Sequence, residues 1–323
     1  MSLIASSVVV CITSAAAAEA ERPLDPAAWG SDHVGKPLPE FVTGDECLFC
    51  HRNDVGPAWS DNRHQLTLRL ADRESPLVEL LQNSPKLAPY AKEVELLMGD
   101  ARAVRFLKKP PDYGKLDLLS VKADPASADA PARLHPVDNP HWDHGTFGKS
   151  CAGCHTTGVD AATHAFSALS IDCYACHGDA DLAHSDDTSL MLLSQARNDP
   201  ARVVISICGQ CHLRGGKSRS TGLPYPNNFV AGDNLFRDFA VDFSDEHLAS
   251  LNPADRHVLE NVRDVVVRGE EKITCLSCHR VHEQSTARHR LAGNRAICTN
   301  CHKPTGPKSA VKRYDVHSAT CEY

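Results

Sequence analysis

Six times in this chain a Cys-x-x-Cys pair is followed at once by His: Cys47/Cys50/His51, Cys151/Cys154/His155, Cys173/Cys176/His177, Cys208/Cys211/His212, Cys275/Cys278/His279 and Cys298/Cys301/His302. Two thiols three positions apart can each bond one edge of a porphyrin, while the next residue offers an imidazole to its iron. The run is therefore the attachment signature of c-type haem. A Cys-x-x-Cys pair alone also suits a zinc ribbon, a thioredoxin-like redox site or a disulfide framework. None of these rivals requires the fifth residue. With 18 His among 323 residues, His after all six pairs by chance has a probability on the order of 10⁻⁸. The expected cofactors are six haem c groups, held by the twelve cysteines and ligated on one side by the six histidines of the runs.

A chain stapled to that many rings needs fewer of its own. Aromatic residues are 6% of the sequence, sparse for the core of a domain this long, so haem is expected to supply the apolar mass. The expected architecture is mostly α and loop-rich, with short helices around stacked haems instead of a conventional core. One small β-hairpin is expected near 104–121, where Val104–Lys108 and Lys115–Val121 flank Pro110-Pro-Asp-Tyr-Gly114. From Trp59 to Met98 the apolar residues read as helical, through Leu66, Leu68, Leu70, Leu77, Leu80, Leu81, Val94, Leu96 and Leu97, with Pro76, Pro85 and Pro89 as breaks. Residues 241–268 read as helical again.

Residues 1–18 form an apolar stretch ending in small residues, with Ala16-x-Ala18 as a cleavage point. This is the pattern of a secretory signal, although it has no Lys or Arg ahead of the apolar run. The stretch is shorter than the roughly 20 residues a membrane-crossing helix needs, so the mature chain is expected to be exported, periplasmic or extracellular, with no membrane span. Residues 19–46 read as an extended arm, 47–121 as the first-haem region and 122–140 as an Ala/Asp/Pro linker. Residues 141–240 carry haems two to four, and 241–323 carry haems five and six with a C-terminal tail. The net charge of -7 argues against nucleic acid. Cys321 is left over once leader and runs are counted.

Each iron also needs a second axial ligand or an open face. Beyond the leader only Met98 and Met191 are present, so His/Met ligation cannot be the rule, and paired histidines at low potential are the expectation. The candidates outside the runs are His64, His144, His184, His257, His282 and His317, while His33, His135, His164, His247 and His289 are expected to be solvated. His282 is the most informative. It lies three residues after His279, on the same side of a helical turn, and cannot reach the far face of the same iron, so it should ligate a different haem alongside. His184 follows His177 by a short segment with similar logic. His64 comes soon after the first run, His144 just before the second, His257 on the helix before the fifth, and His317 past the sixth. If one haem keeps an open face, the fourth is the expected one, because no His lies between His212 and His247.

The segments Cys-Ala-Gly-Cys-His-Thr-Thr-Gly from 151, Cys-Tyr-Ala-Cys-His-Gly from 173, Cys-Gly-Gln-Cys-His-Leu-Arg-Gly from 208 and Cys-Leu-Ser-Cys-His-Arg-Val-His from 275 resemble multihaem c-type cytochromes. The branch they resemble is the one related to tetrahaem electron carriers and octahaem hydroxylamine oxidoreductases. The resemblance spans roughly residues 45–305 and is strongest in the runs. It implies closely packed haems passing electrons to redox partner proteins outside the cytoplasm. No Cys-x-x-Cys-Lys run occurs, unlike the nitrite reductases of this wider group, and no tyrosine can be matched to the cross-linked haem of the hydroxylamine enzymes. Electron carriage is thus the leading expectation. A catalytic haem acting on a small nitrogen or sulfur species and self-association into a conductive filament are its two rivals.

Overall fold

The structure is a computed structural model that describes residues 33–39, 44–72, 75–99, 103–180, 182–268, 274–277 and 279–283. The signal segment 1–18, Cys278, the whole sixth run with Cys298, Cys301 and His302, and also His289, His317 and Cys321 lie outside the described residues.

The chain enters through helices α1 (Gly44–His51) and α2 (Gly56–Trp59) and then builds an antiparallel sheet. Its strands are β1 (Leu68–Leu70), β2 (Leu96–Met98), β3 (Val104–Lys108), β4 (Asp117–Asp124), β5 (Arg133–Leu134) and β6 (Trp142–Asp143). They are ordered β1-β2-β3-β4-β5, and β6 also pairs with β4. Helices α3 (Pro76–Gln82) and α4 (Ala88–Ala91) fill the long connection between β1 and β2, each opened by a proline in its first turn, where the missing N–H costs nothing.

Both faces of this sheet are covered. On one, Leu97, Phe106, Leu119 and Val121 pack against Leu77, Leu81, Leu87 and Ala91 of the α3–α4 connection. On the other, Leu68, Leu96, Met98, Leu107 and Leu118 meet Phe147, Ala152 and Phe166. Each fully buried Leu or Phe of this kind contributes about 1.5–3 kcal/mol. The second face is thus anchored to the second run, which follows α5 (Thr146–Ser150) on α6 (Ala152–His155) and precedes the hairpin β7 (Thr156–Val159) and β8 (Phe166–Leu169).

The third run occupies α7 (Tyr174–His177), and the fourth closes α8 (Ala201–His212). A short ribbon of β9 (Lys217–Ser218) and β10 (Phe239–Ala240) follows, then α9 (Asp245–Ser250) and α10 (Pro253–Val266). Ser244 and Asn252 cap the last two helices by accepting backbone N–H groups from their first turns. Ala201 and Ile205 of α8 join Leu248, Leu259, Val262 and Val265 of α9 and α10 in a third apolar cluster, completed by Leu235, Phe236 and Phe239.

The expectation of a mostly α, loop-rich chain is therefore corrected. Helix takes 34% and strand 15% of the described residues, with several antiparallel sheets, and three apolar clusters form ordinary cores. The hairpin placed near 104–121 is the β3–β4 pair, but it is the centre of a six-stranded sheet and not an isolated ribbon. The misreading has a physical source. Leu96-Leu97-Met98 is buried on both faces, and such a strand reads as a continuous apolar run that periodicity cannot separate from helix. Leu66, Leu68 and Leu70 recur every second residue, the period of a strand.

Candidate haem centre

The described runs lie on short helical turns that converge from distant parts of the chain. The thiols of Cys47 and Cys173, of Cys154 and Cys211, and of Cys208 and Cys275 lie side by side as three interacting pairs, each joining two different runs. The second and fourth runs grip each other reciprocally: Cys154 Sγ donates to the Cys211 carbonyl at 3.8 Å, and Cys211 Sγ donates to the Gly153 carbonyl at 3.5 Å. Gln210 Nε2 of the fourth run donates to the Ala175 carbonyl of the third at 3.1 Å. Gly153 is required for this packing, because a Cβ there would lie 2.3 Å from Cβ of Tyr225. Tyr225 is itself fixed by donating its hydroxyl to the Gly148 carbonyl at 2.8 Å.

Within each thiol pair one partner is the more acidic. The hydrogen bond from Cys173 lowers Cys47 to about 7, while Cys173 is raised. Cys211 lowers Cys154 and Cys208 lowers Cys275 in the same way, with Cys211 and Cys208 themselves raised. Burial lifts Cys176 to about 11. Free cysteine is among the residues most often fully buried, yet all nine described cysteines of the runs retain accessible surface.

Cys50 departs from the other described attachment cysteines. It is exposed, whereas the other eight are half-buried. Like Cys151 and Cys176, it lies outside the three thiol pairs. The reason is local to α1, which sends only Gly44 into the interior and turns Cys50 outward beside Phe49, itself 81% exposed. Of the two thiols of the first run, only Cys47 joins the paired thiols.

The histidines meet in twos. The ring centres of His51 and His184 are 6.1 Å apart, those of His64 and His212 6.1 Å, and those of His177 and His282 5.7 Å. Each pair sets the His of one run against a candidate from elsewhere in the chain. His282 thus faces the third run, not its own fifth. His184 faces the first run and His64 the fourth. The fourth run, the expected place of any open face, has His64 opposite it. The first run meets the third through Cys47 and Cys173.

Three of these imidazoles are held through Nδ1 by an oxygen acceptor: His51 by Asp54 Oδ2 at 3.0 Å, His64 by Asn62 Oδ1 at 3.2 Å and His177 by the Leu192 carbonyl at 2.6 Å. An oxygen that can only accept requires Nδ1 to carry the proton, which leaves the lone pair on Nε2. Desolvation by the surrounding chain lowers the pKa of His155, His177, His212 and His282. His212 and His282 are exposed yet crowded by neighbouring chain, and the crowding sets the direction. At neutral pH these rings are uncharged, the form that binds metal. Nδ1 of His155 is buried without a hydrogen-bond partner.

Other candidates sit elsewhere. His144 is exposed, and its Nδ1 lies 2.8 Å from Asp117 Oδ1. His257 lies on α10, with Asn261 Nδ2 donating to its carbonyl at 2.6 Å. The reading from sequence passed over Trp59 and Asn62, which flank the His64 turn, and Asp172, which precedes the third run. A buried Asn two residues before a candidate ligand is the kind of local signal that could have drawn notice.

These observations fit haem. Two imidazoles that bind one metal from opposite sides, each through a nitrogen about 2 Å away, hold their ring centres roughly 6 Å apart. Among the described residues no group of three or more His, Cys, Asp or Glu gathers to hold a metal ion. Thiol pairs alone would suit disulfides equally, but a disulfide framework does not call for facing histidines.

A family described as "Doubled CXXCH motif" matches residues 266–307, which contain the fifth and sixth runs. The match covers 42 of the 323 residues. An undecaheme cytochrome from the S-layer of Carboxydothermus ferrireducens is similar in structure at 17% identity, with a TM-score of 0.46. The likeness covers 84% of this chain and 44% of that one, so the chain spans less than half the length of that cytochrome. No curated protein matches the chain. Among the described residues, no helix is long and apolar enough to cross a membrane.

Proposed function

We propose that the chain binds six haem c groups through its Cys-x-x-Cys-His runs and carries electrons between them, most of the irons being ligated by two histidines. When bound, the haem irons supply one-electron oxidation and reduction. The residues of the chain attach the rings, hold imidazoles on both sides of most irons and keep neighbouring attachment points in contact. The observation that carries this reading is the set of three facing histidine pairs. In this reading His184 serves the first haem, His282 the third and His64 the fourth. Ligation then crosses between runs, and each haem is held by two separate stretches of chain.

The thiol pairs support close spacing. Where Cys154 and Cys211 touch, the ring edges they attach must also be neighbours, and the same holds for Cys47 with Cys173 and Cys208 with Cys275. Electron carriage is favoured over the catalytic rival by His64 opposite His212 of the fourth run. Export to the periplasm or the cell exterior belongs to the same proposal and rests on the apolar segment 1–18. Partners are then redox proteins, or further copies of this chain in a filament.

The test is the mass of the purified chain under denaturing conditions. Six covalently attached haems per chain is the expected result, and an unmodified polypeptide mass would refute the reading.

A further inference from the structure

We infer that Asn62 is a positioning residue for two metal-ligating histidines at once, holding His64 by its ring and His282 by the backbone on either side of it. The inference rests on the haem reading above and adds to it a single buried group that spaces the ligands of the third and fourth haems.

Asn62 is fully buried. Its Nδ2 donates to the Val281 carbonyl at 2.6 Å and to the Glu283 carbonyl at 2.9 Å, the two residues that bracket His282. Its Oδ1 accepts from the His64 backbone N–H at 2.9 Å and lies 3.2 Å from His64 Nδ1. An amide side chain has two N–H donors and two acceptor lone pairs, and here all four are used. Carbonyls can only accept, so the amide cannot be reversed. The same constraint protonates His64 at Nδ1 and presents Nε2 as its ligating atom.

Trp59 completes the device. Its backbone carbonyl accepts the Asn62 N–H at 2.9 Å. Its ring lies 6.3 Å from that of His64 at 9° and 6.1 Å from that of His282 at 84°. The indole Nε1 donates to Gln65 Oε1 at 3.1 Å, which fixes its rotation. One face of Trp59 therefore limits how His64 can turn, and the same ring limits His282. His64 points to the fourth run at His212, and His282 to the third at His177. A group that sets imidazole orientation at two irons should be visible in their spectra and potentials, beyond any effect on folding.

The experiment uses the full-length, haem-loaded protein with Asn62→Leu and Asn62→Asp. Leu removes every side-chain hydrogen bond while keeping the same number of side-chain heavy atoms. Asp keeps acceptors for His64 and replaces the donors to Val281 and Glu283 with a carboxylate oxygen that repels their carbonyls. With haem count unchanged, Asn62→Leu is expected to alter the electron paramagnetic resonance signals and reduction potentials of two haems. Asn62→Asp is expected to perturb the spin state of one of them, the haem facing His282, while the haem facing His64 stays low-spin. If Asn62→Leu does not accumulate, the Asp variant decides alone. Haem-replete variants with wild-type signals and potentials would overturn the inference, whereas a wild-type chain purified without haem would overturn the reading beneath it.

Discussion

The Asp172 carboxylate accepts a hydrogen bond from the backbone N–H of Gly44 at 2.8 Å, across 128 residues of sequence. Its other oxygen accepts from the Tyr174 N–H at 2.8 Å. One buried side chain thus caps the helix of the first run and the turn of the third, and it brings Cys47 beside Cys173. Contacts of this type turn a string of attachment runs into a cluster.

Asp172 should also leave a mark in the pH dependence of stability. Burial raises its pKa above the usual carboxylate value, so the folded state holds this proton more tightly than the unfolded chain. The contribution to stability is then fully present below the unfolded value of about 3.9 and is lost as pH rises through the folded value. Compared with Asp172→Asn, the wild type should lose relative stability across that window and then level off. Thermal melts of both proteins over a pH series check this. Asp172→Ala, which abandons both N–H groups, should cost about 1–3 kcal/mol below that window and less above it.

Gly153→Ala should be poorly tolerated. The added methyl meets Tyr225 at its Cβ and ring, close to the backbone, where a small side-chain rotation gives no relief. Overpacking of this kind costs about 1–3 kcal/mol. Chemical denaturation should show that loss together with a lower yield of haem on the second run, and an unchanged midpoint would argue that the loop carrying Tyr225 moves freely.

Asp54→Asn should raise the reduction potential of a single haem. Asp54 Oδ2 lies 3.0 Å from His51 Nδ1, and a carboxylate partner makes an imidazole a stronger donor to its metal, which favours the oxidised iron. His177 has a neutral carbonyl partner instead, so the first haem should titrate below the third in the wild type. Spectroelectrochemical titration of the two proteins reads both effects.

Alkylation distinguishes thioethers from disulfides. In the haem-loaded chain, unfolding with or without a reductant should expose the same few thiols, because the run cysteines are consumed by carbon–sulfur bonds. Exposed Cys50 is the sharpest case, since as a free thiol it would react even before unfolding. A rise on reduction would favour the disulfide reading of the pairs Cys47/Cys173, Cys154/Cys211 and Cys208/Cys275.

The Cys-x-x-Cys-His runs can be read from the sequence because covalent chemistry at one porphyrin edge would demand a local spacing. The β3–β4 hairpin was legible because Pro110-Pro-Asp-Tyr-Gly114 marks its turn. Partner choice was not. His282 could be excluded from its own haem by spacing alone, but that it faces His177, and that His64 faces His212 instead of the nearby first run, depends on how distant segments pack. The outward position of Cys50 was hidden in the same way, because identical spacing in every run says nothing of which side of a helix meets the interior. The two-sided sheet was hidden for a related reason, since Leu96-Leu97-Met98 carries no period when both faces are buried.

The most direct test is low-temperature electron paramagnetic resonance of the oxidised protein, integrated against its total iron. The three facing pairs predict at least three low-spin, bis-imidazole haems per chain. Iron that is mainly high-spin, or fewer than three low-spin haems in a fully loaded chain, would contradict the account.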